Sequence, residues 1–141
     1  MRGARSLSTK LEEVIEEYSP DRLDLVIREA LIYVSREYAN DAEIEQTISS
    51  IAIPITTSPS MQSRCDELSR KADETYTRLE DTGKLEESKH EFRRMCVFNG
   101  LANLFSSESL ERNVDEMLYD MGHGAESTDL FVDTLIRNLS T

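Results

Sequence analysis

At 141 residues, with 38% apolar residues, no Trp and 31% charged residues spread among the apolar ones, the chain has the length for one hydrophobic core and too much patterning for disorder throughout. Its formal charge of −12 belongs to the body: the first ten residues contribute +3 through Arg2, Arg5 and Lys10, and the rest carries −15. Such a body repels phosphate, and only Arg70-Lys71 and Arg93-Arg94 approach the clustering that displaces counterions from a nucleic-acid backbone, so direct nucleic-acid binding is not expected.

The first residues, MRGARSLSTK, lack an apolar core and acids, and residues 1–8 are expected as a flexible tail ahead of one helical domain over 9–141. Thr9 and Glu12 have capping-box spacing and open a helix with Leu11, Val14, Ile15 and Tyr18 on one face and Glu12, Glu13, Glu16 and Glu17 on the other. Ser19-Pro20-Asp21 restarts the chain, with Ser as N-cap and Pro at the first helical position, and predicts a second helix to about Asn40. Its stripe, Leu23, Val26, Ile27, Ala30, Leu31, Val34 and Tyr38, is broad, and Leu25, Ile32 and Tyr33 are surplus to it. A further short helix over 41–52 places Ile44, Ile48 and Ile51 on one side. Ile51, Ile53 and Ile55 then alternate with period two, and with Pro54 and Pro59 they predict an extended connection over 53–60.

After Ser58-Pro59, Met61, Cys65, Leu68, Ala72, Thr75 and Leu79 recur at spacings of four and three, a narrow seam on an otherwise solvated helix that Thr82-Gly83 ends. The next helix, Lys84 to Phe105, is charged in its first half and apolar nearly all round from Phe92 to Phe105, which makes the second half the expected centre of the core. Gly100 inside it costs roughly 1 kcal/mol of helix propensity, and close approach of another helix is the expected reason. Two shorter helices, about 107–121 and 127–139, follow, separated by Gly122-His123-Gly124. The sum is an all-α, compact bundle of six to seven helices, with no internal repeat.

No run of about 20 apolar residues is present, so no membrane span is expected. Cys65 and Cys96, each on an apolar helix side and without CxxC spacing, read as buried free thiols of a cytoplasmic protein, with a single bridge between them as the alternative. The scattered glycines form no phosphate loop, and neither Cys lies near a His, so no catalytic residue or cofactor site is assigned.

One string of carboxylates has metal-ligand spacing. Glu12, Glu13 and Glu16 read EExxE, which sets Glu12 and Glu16 one helical turn apart with Glu13 beside them, a spacing suited to a shared Mg²⁺. The string resembles the first half of the metal motif of the all-helical nucleotide pyrophosphohydrolases of the MazG kind, whose second half is an ExxD pair on the following helix. Glu37 and Asn40 have that spacing here, with an amide in place of the second acid. The resemblance implies an Mg-dependent hydrolase using Glu12, Glu13, Glu16 and Glu37. Glu87-x-x-His90, echoed by Asp120-x-x-His123, resembles the paired motif of di-iron bundles, but His123 stands between two glycines where a helix is expected to have ended.

The leading expectation is a non-catalytic acidic interaction module: an adaptor, an inhibitor or a small subunit that meets another protein, one with a basic surface. Its contact residues are Leu25, Ile32 and Tyr33, surplus to the second helix, together with Ile53 and Ile55 of the extended connection. Those surplus residues and the narrow 61–79 seam also predict self-association into a homo-oligomer.

Overall fold

The structure, a computed structural model, describes residues 2–18 and 22–140. Among them the chain is all-helical: α1 (Arg2–Leu7), α2 (Thr9–Glu16), α3 (Leu23–Glu37), α4 (Ala42–Ser49), α5 (Pro59–Asp81), α6 (Leu85–Leu104), α7 (Leu110–Gly124) and α8 (Thr128–Leu139). From Thr9 onward there are seven helices, the upper end of the expected count. One hydrophobic cluster draws on every helix, from Ala4 of α1 to Leu139 of α8. Among the described residues no helix is long and apolar enough to cross a membrane.

Side-chain caps set most of the helix starts. Ser8, Asp41, Ser58, Ser109 and Ser127 each stand in extended backbone and accept the amide of the third residue on, which satisfies one of the orphan donors of the first turn. Pro59 follows Ser58 at the first helical position, where its missing N–H removes nothing. The cap of α2 is Ser8, whose Oγ accepts Leu11 N at 3.2 Å, and not Thr9. The Ser19-Pro20-Asp21 restart lies outside the described residues. Gly83, at φ +77°, closes α5 in the left-handed region that glycine enters without strain.

α5 and α6 form a long hairpin. The narrow seam of α5, with Cys65, Ser69 and Ala72 buried, lies against α6, so the stripe expected to resemble a coiled coil is covered from within the chain. The second half of α6 fills the centre through Val97, Phe98, Leu101 and Leu104. Phe92 departs from that expectation: it remains 39% exposed and leans on Tyr76 of α5, ring centroids 5.5 Å apart. Between α4 and α5 the extended connection alternates as its sequence does, with Ile51, Ile53 and Ile55 half-buried against the core and Ala52, Pro54 and Thr56 exposed.

Two expectations are corrected. Residues 2–7, expected within a flexible tail, form α1, docked on α7 by the amides of Gly3 and Ala4, which donate to Asp115 at 2.7 and 2.9 Å. The Gly122-His123-Gly124 separator is the last turn of α7, not a break. Glycine there serves contact instead of punctuation: a Cβ on Gly122 would stand 2.7 Å from Leu7 Cδ1, and one on Gly124 would stand 2.9 Å from the carbonyl oxygen of Arg93. The same economy explains Gly100, whose Cβ would meet the Met117 carbonyl oxygen at 3.3 Å where α6 crosses α7.

Candidate protein interface

α3 and α8 pack side by side, and their outward edges leave a groove of about 340 Å³. On α3 it is lined by Glu29, Ile32, Tyr33, Arg36 and Glu37, residues that helical spacing brings to one face; on α8 it is lined by Thr134 and Asn138, one turn apart. Leu130, a further turn back along α8, continues that stripe and is 56% exposed. The sequence offered Tyr33 and Ile32 as surplus apolar residues, and the structure puts both here. Tyr33 stacks edge-on against Phe131 of α8, centroids 5.1 Å apart and planes at 81°, so its ring forms the floor. Ile32 is 37% exposed and stands at the rim.

Both carboxylates of the groove are positioned by neutral donors. Glu37 Oε1 accepts the amide of Glu126 at 2.8 Å, and Glu29 Oε2 accepts Asn138 Nδ2 at 3.1 Å. Neutral donors fix the geometry and leave each negative charge available. Burial, then the neighbouring Glu37 carboxylate, push the Tyr33 hydroxyl above its ordinary range, so it stays a donor at neutral pH. Arg36 supplies one cation against two acids, and the groove keeps the sign of the body.

The other contact residues named from sequence lie elsewhere. Leu25 is half-buried near the start of α3 and does not line the groove. Ile53 and Ile55 turn towards the core from the extended connection. Leu130 sits beside a complete stripe of Phe131, Leu135 and Leu139, and its one signal in the sequence is to be apolar off that stripe, as Ile32 and Tyr33 are on α3.

The carboxylates with metal-ligand spacing are not brought together. Among the described residues, no group of three or more His, Cys, Asp or Glu is placed to hold a metal ion. The main neighbours of α2 are α1 and α8, while α3 packs on α4, α7 and α8, so Glu12, Glu13 and Glu16 do not face Glu37 as the resemblance to the pyrophosphohydrolases requires. Glu13 is exposed on the side of α2 away from Leu11 and Ile15. Nor do the Glu-x-x-His spacings converge: Glu87 and His90 are exposed, His123 Nδ1 lies 2.9 Å from the Tyr119 carbonyl oxygen, and Asp120 is turned to Asn103. Both cysteines are free and buried, and burial pushes each thiol up to about 11.

Protein-family models, curated proteins and solved structures give no match to this chain. The groove's own chemistry therefore carries the functional reading.

A second exposed apolar region was not visible in the sequence. The α5–α6 hairpin and the end of α7 enclose a cleft of about 430 Å³ between Tyr76, Leu85, Phe92 and Ala125. Leu85 is the most exposed large apolar residue described, at 59%. Leu85 and Phe92 are seven apart, which places them on one face of α6, but the charges around them hide that pair in a sequence scan.

Proposed function

We propose that this chain is a non-catalytic interaction module whose α3–α8 groove receives an apolar side chain of a partner protein flanked by Lys or Arg. The observation that carries the reading is the pairing of an exposed Ile32 and a packed Tyr33 with two charged carboxylates held in place by neutral donors. An apolar anchor in a groove gives affinity through burial, worth roughly 25 cal/mol per Å². The carboxylates and the −12 body supply orientation and a faster encounter with a basic surface. An adaptor, an inhibitor or a small subunit all use such a surface.

The test uses an amphipathic helical peptide of Leu and Lys at helical spacing as the probe, titrated calorimetrically into the full chain. Binding at about micromolar to about 100 µM concentrations is expected, weakening as salt screens the charges. Ile32→Arg, at an exposed position, is expected to reduce affinity tenfold or more, about 1.4 kcal/mol. Attraction to the acidic body alone would survive that substitution largely intact, and an unchanged affinity for Ile32→Arg would remove the groove from the function.

A further inference from the structure

The cleft between the α5–α6 hairpin and the end of α7 brings exposed apolar residues together with side chains of both charge signs. Its lining carries Lys89, Arg93 and His123 beside two acids, Glu80 and Glu126, and Glu86 pairs with Lys89 at 3.4 Å at its edge, so both signs of charge meet there in a molecule whose acids outnumber its cations by 28 to 16. Glu80 Oε2 accepts the Tyr76 hydroxyl at 2.8 Å, which holds that ring against Phe92. The cleft thus has a built aromatic wall, and Leu85 projects beside it with more than half its surface in water.

Two copies of a −12 body repel each other over most orientations. An apolar face that carries both signs of charge is where that repulsion is least. A two-fold contact further requires a face complementary to itself, carrying both the projection and the recess that receives it, and both signs of charge. The cleft meets each condition: Leu85 is the projection, the space bounded by Tyr76, Phe92 and Ala125 is the recess, and Lys89 and Arg93 share it with Glu80 and Glu126.

We propose that this cleft is a homodimer interface, in which each copy seats its Leu85 in the cleft of the other. The cleft shares no lining residue with the α3–α8 groove, although Glu126 lines the one and holds Glu37 of the other through its amide, so the interface is tested separately from the function proposed above. Because its attraction is apolar and the two bodies repel, added salt strengthens it, the opposite of an interface built on ion pairs.

The test is sedimentation equilibrium of the full chain up to about 200 µM, at about 0.05 M and about 0.5 M NaCl. A monomer–dimer equilibrium is expected, with the dimer favoured at the higher salt. Leu85→Glu combined with Phe92→Ser should raise the dissociation constant at least tenfold. Both positions are exposed, and an unchanged circular dichroism spectrum shows that the fold is kept. A second variant, Ile32→Arg, should dimerise as the parent does. A monomer at both salts overturns the proposal. So does a dimer that the double variant leaves intact, or one that tightens as salt is removed.

Discussion

Among the described residues Asp120, half-buried where α6 meets α7, is the carboxylate least suited to its surroundings. Burial first and the charge of Glu116 second push it up to about 6, against the pull of His123 and of the hydrogen bond that Asn103 Nδ2 donates at 2.8 Å. A folded-state value above the unfolded one, near 3.9, means that the native chain binds the proton more tightly; stability is then gained as pH falls from about 6 towards 4, and the ionised group is a cost at pH 7. Asp120→Asn keeps an acceptor for Asn103 and removes the charge. Allowing for solvent screening at a partly exposed site, it should stabilise the chain by about 1–2 kcal/mol at pH 7, with the gain gone near pH 4. Denaturant melts at the two pH values check the difference.

Arg94 has the opposite character. It bonds Asp41 at 2.6 Å, Glu43 at 2.9 Å and Glu91 at 3.1 Å, and its guanidinium lies 5.4 Å from the centre of the Phe98 ring, which ties the start of α4 to α6. Burial works against the ionised Asp41, but Arg94 and the amides of Ile44 and Glu43 outweigh it and hold that carboxyl below its usual range. The stability so contributed is present above about pH 4 and lost as pH falls through the lowered value. Arg94→Met would leave Asp41 and Glu91 without their cation and should cost about 2 kcal/mol at pH 7, read from the shift in denaturation midpoint.

At the scale of elements, the glycines near the end of α7 separate propensity from packing. Propensity alone gives Gly124→Ala a gain of about 1 kcal/mol in a helix. Packing predicts the reverse, because the new methyl would stand 2.8 Å from Val97 Cγ2 and 2.9 Å from a backbone oxygen that cannot turn aside. A loss of about 1–3 kcal/mol is expected, measured as a lowered melting temperature. The same pair of glycines shows why this turn was illegible beforehand: Gly-His-Gly is a stop signal in a sequence, and only the neighbours Leu7, Arg93 and Val97 convert it into a contact. α1 was hidden for a related reason. Six residues are too few to form a helix alone, so its existence depends on Asp115, more than a hundred positions away. By contrast Ser58-Pro59, Asp41 and Ser127 announce their helices locally, and the apolar stripes of α3 and α8 follow from spacing alone. Ile32 and Tyr33 were legible as surplus; that Phe131 would pack beneath Tyr33 and make its ring the floor of a groove was not, since which helix lies beside α3 is a tertiary fact.

For the whole molecule, charge makes the decisive contrast between the interaction module and the hydrolase suggested by EExxE. A body of −12 stores self-repulsion, so added salt should raise its melting temperature by screening, whatever the cation's identity. A divalent ion bound by three or more carboxylates would do more: it would stabilise the native state in proportion to the logarithm of its concentration over its dissociation constant, beyond any screening. Because no three such side chains are gathered among the described residues, Mg²⁺ and Na⁺ at matched ionic strength are expected to give the same melting temperature within about 1 °C. Differential scanning fluorimetry of the parent chain and of Glu13→Gln decides the matter. Glu13 is exposed on α2, so its loss should leave both curves alone apart from one unit less of repulsion. An Mg²⁺-specific rise that Glu13→Gln abolishes would instead mean that α2 and α3 come together around a cation, and the enzymatic reading would replace the module.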